Sequence, residues 1–358
     1  MTQDISNRLD SHADRSISPL YKPSWINRLT HLVAGLKIPF GVFYLVIWIA
    51  FSVILVLLRW SEAVYPVGTL NLSDLVMSAT GIFFIALIHY LDQWARNKLG
   101  VFRDDIAVSD QEFENLAYQL TTLPARQANI AGLITFGFGA LTLLLSPDSY
   151  SFLNLNLSSF SGGMQLVNFL FGWFVFGPLS YHAYWQLSLG SQATSKYIRI
   201  NLFNLDPIYT FAGLTLRTAL GWLVIAYAWA LTTPHLFGNI IITFTILFMQ
   251  VVAILTFILP LLSAHNNIVS KKDELLHEIG NHLDAVIHQM SKGSEELGKD
   301  ELSTLREKLT TLTMAEERLR KLPTWPWRQG TVNSLVSAIL IPNAIWLLQI
   351  VLERYVFK

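Results

Sequence analysis

Seven stretches of this chain stay apolar for close to the roughly 20 residues that a helix needs to cross a hydrocarbon core. They run over about 39–58, 75–91, 129–146, 164–186, 207–231, 238–262 and 333–356, the second and third being the shortest. The pattern predicts an all-α fold, a polytopic membrane helix bundle of about seven transmembrane helices. It also divides the chain into a polar arm over 1–38, a six-helix membrane domain over 39–262, an inserted helical hairpin over 263–322 and a C-terminal transmembrane helix within 323–358.

Three connecting segments have helical signals of their own. Ser109 and Glu112 form a capping box, and Phe113, Leu116, Leu120 and Leu123 follow at helical spacing. This predicts a helix near 110–123 lying on the membrane surface. Asp206 and Pro207 supply an N-cap and a first-turn proline for the fifth span. From 263 to 322 the apolar positions alternate by three and four: Val269, Leu276, Ile279, Leu283, Val286 and Met290, then Leu302, Leu305, Leu309, Leu312 and Leu319. That is the seam of two helices packed on each other, and Gly293 and Gly298 place the turn between them. The first arm, of about 27 residues, would reach about 40 Å.

Composition agrees with a lipid setting, since 52% of residues are hydrophobic and only 14% charged, against about 25% charged in a soluble domain. Net charge is zero, so the chain as a whole offers no basis for nucleic-acid binding. The distribution of charge is more informative. With the spans taken alternately, 21 of the 25 Lys and Arg residues fall on one side, Arg59, Arg354 and Lys358 on the other, and Arg217 within a span. Basic residues are retained in the cytoplasm, so the N-terminus and the hairpin are expected inside and the C-terminus outside. The polar arm is too long and mixed for a secretory leader, and the first span is expected to stay as an anchor. The absence of cysteine removes disulfides, thiolate nucleophiles and Cys-ligated metals.

Candidate chemistry is sparse. The sequence KGSEELGKD at 292–300 is close to a phosphate-binding loop, but no strand precedes it, Asp300 stands where a Mg²⁺-binding hydroxyl is needed, and Glu295 and Glu296 would face a triphosphate. His277 and His282 are five apart and diverge around a helix, so they cannot form a zinc motif. His277, Asn281, Asp284 and His288 share another face, which reads as solvated surface or a weak metal or pH-sensitive stripe. Gln250 and Asn343 lie near mid-span, the second directly after Pro342, and are expected to bond between helices. The spans hold no carboxylate away from their ends, Glu62, Asp74 and Glu353 standing only at outer ends, which disfavours proton- or cation-coupled transport. Arg217 is expected in the inner half of the bilayer, as are His89 and His182, none with a carboxylate partner in a span. Arg217 reads either as snorkelling to the inner headgroups or, with one or both histidines, as lining an inner vestibule for an anionic solute or lipid phosphate. No cofactor or metal is expected.

The segment LPLLSAHNNIVSKKDEL at 259–275, the polar hairpin, and then LPTWPWRQGTVNSLVSAILIPNAIWLLQIVLERY at 322–355 resemble a group of uncharacterised prokaryotic multi-pass membrane proteins with a Thr-Trp-Pro-Trp signature before the last hydrophobic helix. The resemblance implies a prokaryotic plasma-membrane protein with this hairpin and tail, and carries over no catalytic or binding residue. Two functions fit the sequence. One is a passive channel or carrier for an anionic or lipid-like solute, not an enzyme. The other is a non-transporting sensor or scaffold whose hairpin engages a second copy or a cytoplasmic partner.

Overall fold

The structure, a computed structural model, describes residues 20–101, 103, 108–196, 202–233, 240–292 and 298–355. The first 19 residues of the arm, the hairpin tip at 293–297, Arg199, the expected start of the sixth span at 238–239 and Lys358 lie outside them. Among the described residues there are ten α-helices and no strand. They are α1 (Trp25–Gly35), α2 (Phe40–Ser61), α3 (Leu72–Val101), α4 (Asp110–Thr121), α5 (Ala125–Leu145), α6 (Phe160–Lys196), α7 (Asp206–Thr232), α8 (Ile240–Lys292), α9 (Lys299–Lys321) and α10 (Gln329–Tyr355). Six of them, α2, α3, α5, α6, α7 and α8, are long and apolar enough to cross a membrane. The protein is therefore a multi-pass membrane helix bundle. The seventh expected span is also a single helix, α10, whose 27 residues at 1.5 Å each extend about 40 Å.

Helices α3, α6 and α7 form the centre, and their packed faces supply most of the apolar core. Helix α2 shows why the outer helices stand where they do. Val42, Val46, Ile49, Val53 and Leu57 are exposed as a lipid-facing side, whereas Tyr44, Ser52, Leu55 and Arg59 are buried on the opposite face. That buried face meets α3 through polar atoms: the Trp48 indole donates to the Leu75 carbonyl and to Ser78 Oγ, both at 3.1 Å, and Ser52 and Ser78 hydroxyls lie 2.8 Å apart. In hydrocarbon there is no water to hold these groups, so hydrogen bonds replace the hydrophobic effect as the force between helices. Helices α5 and α6 achieve closeness by a different route. A Cβ placed on Gly177 would overlap the Ala131 carbonyl, and one on Gly139 would overlap the Trp173 ring.

The structure departs from the sequence pattern in four places. The N-terminal arm is not simply a polar tail: α1 packs under the bundle with Ile26 and Val33 buried, and it starts at Ser24, whose hydroxyl accepts from Asn27 N at 3.2 Å. Helix α3 continues ten residues past the expected end at Leu91. Asp206 is the first residue of α7 rather than its cap, which leaves its carboxylate free to take Arg328 at 2.6 Å. Most consequentially, the sixth span does not end at Leu262. It runs on unbroken as the first arm of the hairpin, giving one 53-residue helix.

The tryptophan signature wraps α8 where it leaves the bundle. His265 stacks on Trp325 at 4.1 Å, Trp325 on Trp327 at 4.4 Å, and Trp327 on Phe257 at 5.4 Å. Lys272 Nζ donates to the Arg320 and Leu322 carbonyls at 2.7 and 2.8 Å, closing the C-terminus of α9. A small second core of Leu202, Leu205, Ile208, Ala264, Ile268 and Leu319 fixes the base of the hairpin to the start of α7. The surface helix α4 follows its capping box, with both reciprocal bonds of Ser109 and Glu112 present. For α4, α1 and the hairpin, the shared end of the bundle is called the hairpin end below.

Close approach at Gly177 gives a stability test. Gly177→Ala should destabilise the solubilised protein by about 1–3 kcal/mol, the usual range for overpacking. Gly137→Ala, where a Cβ meets nothing within 4 Å, should leave the melting temperature unchanged. Equal melting of the two variants would contradict the α5–α6 packing.

Candidate functional site

Polar side chains gather at both ends of the bundle. At the hairpin end the centre is Asp92 of α3, which is buried. His182 Nε2 on α6 donates to Asp92 Oδ1 at 2.7 Å, and Asn27 Nδ2 on α1 donates to Asp92 Oδ2 at 3.3 Å and to the Thr121 carbonyl at 3.1 Å. Asn27 Oδ1 in turn accepts the Leu123 N–H at 2.9 Å and the Ser24 hydroxyl at 2.7 Å. One asparagine therefore joins three segments. Around it Gln186 donates to the Leu120 carbonyl at 3.0 Å, Tyr21 to the Thr122 carbonyl at 2.8 Å, and Trp185 to the Gln119 carbonyl at 3.0 Å. These donors satisfy the C-terminal carbonyls of α4, which would otherwise lie orphaned against the bundle. Burial, reinforced by neighbouring Tyr118, raises the Tyr21 phenol far above the ordinary tyrosine range, so it stays a neutral donor.

At the far end Arg59 and Asp74 are both buried, with Arg59 Nε 3.4 Å from Asp74 Oδ2. The guanidinium donates to the Leu153 and Asn154 carbonyls at 2.9 and 3.2 Å, and Gln165 Nε2 of α6 donates to Asp74 at 3.1 Å. Tyr65 accepts from the amides of Asn71 and Asn154, each at 2.9 Å. Glu62 receives the Phe160 N–H at 2.9 Å and the Ser161 N–H at 3.1 Å at the start of α6, where the helix dipole favours an anion. The Ser161 hydroxyl and these amides hold the Glu62 carboxyl below its usual value.

The sequence-predicted residues have separate surroundings. The expectation that His182 lacks a carboxylate within a span is corrected by its bond to Asp92. The reason is the length of α3: Asp92 lay just past the apolar window, yet the helix carries it on into the bundle. Likewise Asp74 belongs to α3 and is buried, so the spanning helices do hold carboxylates. His89 Nδ1 lies 3.3 Å from the Tyr44 hydroxyl, with Phe40 packed on its ring at 4.7 Å. Arg217 donates to the Tyr90 hydroxyl and the Gly213 carbonyl, both at 2.9 Å, and sits 4.5 Å over the Trp94 ring. Gln250 and Asn343 amides face each other at 3.3 and 3.5 Å, and Asn343 also reaches the Tyr227 hydroxyl at 3.3 Å. His277, Asn281, Asp284 and His288 are exposed on the hairpin, and among the described residues no group of three or more His, Asp or Glu side chains is arranged to hold a metal.

What the sequence reading missed is Asn27. Its signal was Ser24 followed by Ile26, Leu29 and Val33, a cap before apolar residues at helical spacing. Chemically, Asp92 orients His182 as a carboxylate orients an imidazole in a nucleophile–base pair, while the other ring nitrogen, Nδ1, has no hydrogen-bond partner among the described residues. The arrangement is that of a latch between α1, α3, α4 and α6. No family model, curated protein or solved structure matches this chain.

Two predictions follow from the latch. Asn27→Ala leaves buried partners unsatisfied and should cost about 1–3 kcal/mol, seen as earlier proteolysis within 20–36 while the rest of the bundle stays protected. Protection throughout would contradict Asn27 as the joint. The second concerns pH. His31 on α1 has an exposed side chain at the edge of the bundle; partial desolvation there, then the positive charge of Arg96, holds its imidazole below the ordinary histidine value, with Asp92 opposing. A depressed histidine binds fewer protons folded than unfolded, so its stabilising contribution is complete above about pH 6.5 and declines as pH falls below that value. Proteolysis of α1 should therefore accelerate between about pH 7 and 5.5, and His31→Gln should flatten that response; an unchanged response in the variant would contradict the assignment.

Proposed function

We propose that this protein is a non-transporting membrane sensor or scaffold that presents its hairpin to a second copy or to a cytoplasmic partner. The observation that carries this reading is the 53-residue helix α8, which is at once a wall of the membrane bundle and an arm of the hairpin. A change in tilt of the span must move the hairpin, because no loop intervenes to absorb it. The hairpin surface suits an output. Its seam is covered between α8 and α9, with Val286 buried, while His277, Asp284, His288 and Met314 remain outside.

The charge distribution supports placing the hairpin end in the cytoplasm of a prokaryotic plasma membrane, with the C-terminus outside. Reading the chain as a passive anion carrier draws support from Arg217, a spanning cation with no ion pair among the described residues. It is less favoured because a carrier needs a polar path. Here the described polar groups close on one another at the two ends, and the mid-depth amides Gln250 and Asn343 are bonded together.

Because the chain has no cysteine, single introduced cysteines report cleanly. Ala285→Cys and His288→Cys, treated with a bifunctional maleimide in intact cells, should give a defined adduct at twice the chain mass or at one larger mass. Liposomes containing only this protein should release chloride and phosphate no faster than protein-free ones. Solute release that disappears in Arg217→Gln, with no hairpin adduct, would overturn the scaffold in favour of the carrier.

A further inference from the structure

We propose that the bundle holds part of one linear hydrocarbon tail of a membrane lipid in a pocket between α3, α6, α7 and α8. This goes beyond the scaffold reading and does not depend on it. The pocket, of about 90 Å³, is walled by Met77, Phe84, Phe169, Trp173, Ile246 and Met249, and Gly172 forms part of its side. With Ile225 and Trp229 of α7 completing the wall, the lining comes from four separate helices, and most of it is buried in the protein itself, so the space lies between packed helices rather than on the lipid-facing surface.

The lining states what kind of ligand fits. Its hydroxyls are occupied within their own helices: Thr80 donates to the Val76 carbonyl and Thr245 to the Ile241 carbonyl, both at 2.8 Å. Tyr150 donates to Thr142 at 3.3 Å. Among the described residues no charged side chain lines the cavity. An ion, sugar or headgroup would lose hydration there without replacement, whereas aliphatic carbon loses nothing. A dry apolar cavity of about 150 Å³ takes a benzene-sized guest, so this smaller one has room only for a short, slender stretch of hydrocarbon, a few methylenes of one chain.

Position identifies the source. From Met77 to Phe84 is seven residues of α3, or about 10 Å along the axis. Met77 is one turn from Asp74 in the far-end cluster, and Tyr150 belongs to the segment joining α5 and α6 at that same end. The pocket thus lies in the far-end half of the bundle and reaches toward mid-membrane, the depth of an acyl chain belonging to the far-end leaflet. Gly172 provides the gap. A Cβ there would make only ordinary contacts, 3.8 Å to Thr80 and 3.9 Å to Met77, so a larger side chain fits into the pocket without displacing backbone.

The test is photolabelling of the full chain in liposomes of phosphatidylglycerol and phosphatidylethanolamine doped with a phospholipid carrying a diazirine in mid-chain, followed by peptide mapping. Wild type should be labelled at inward-facing Met77, Phe84 or Met249 as well as at Phe244 and Phe248, which face outward on α8 at 68% and 52% exposure. Gly172→Leu should reduce inward labelling at least fivefold while outward labelling stays within a factor of two. Thr245→Leu, which fills the space from the opposite wall, should do the same if Gly172→Leu does not assemble. Labelling confined to Phe244 and Phe248 in wild type would overturn the proposal, as would inward labelling undiminished in an assembled plugged variant.

Discussion

A carboxylate cannot stand unpaired in hydrocarbon, and α3 carries two. Asp74 and Asp92 are 18 residues apart in the sequence, or about 27 Å along a helix, close to the thickness of a bilayer core. Each recruits a partner from α6: Gln165 at the far end and His182 at the hairpin end. Two such attachments fix the parallel register of α3 and α6. The remaining valences then bring in the segments that would otherwise hang free, Arg59 of α2 and the backbone before Asn154 at one end, α1 and the end of α4 at the other. Removing one member of such a buried pair costs about 3–5 kcal/mol, because the other charge is left stranded. Register and end closure therefore rest on few side chains.

Between these two rings the bundle is held by shape. Glycines let α5 and α6 approach to backbone contact, α2 attaches by indole and hydroxyl bonds, and α10 contributes an amide pair to α8. The arrangement leaves α8 as the element whose two halves have different environments, lipid and bundle for one, solvent and α9 for the other. The stacked His265, Trp325 and Trp327 sit at the change of environment and bind the returning chain to it.

Much of this was legible in the sequence, and the boundary of legibility is physical. Span positions follow from twenty-residue apolar runs, the hairpin seam from its three-four spacing, and α4 from Ser109 and Glu112. Hydropathy ends a span where polar residues begin, but a backbone helix ends only where a stop signal occurs. Between Leu261 and Lys272 there is no glycine or proline, so nothing interrupts α8 as its surface changes from apolar to amphipathic. Pro260, just before, lies inside the helix. The polar latch was unreadable for another reason. Asp92, His182 and Asn27 are separated by 65 to 155 positions, and no local pattern states which buried polar groups will meet. Depth alone placed His89, His182 and Arg217 near one another in the sequence reading, and depth does not state which partners lateral position gives each: Tyr44 for His89, Asp92 for His182 and Tyr90 for Arg217.

The central claim is that span and hairpin arm are one rigid helix. Val251 and Ala285 are both exposed on α8, 34 residues apart and so separated by about 51 Å if the helix is continuous. Spin labels at cysteines placed at these two positions of the otherwise cysteine-free chain, measured by pulsed dipolar spectroscopy in nanodiscs, should give a single narrow distribution near that separation. A broad distribution, or one well below about 45 Å on the same helical scale, would mean that the chain bends between them and would contradict the account.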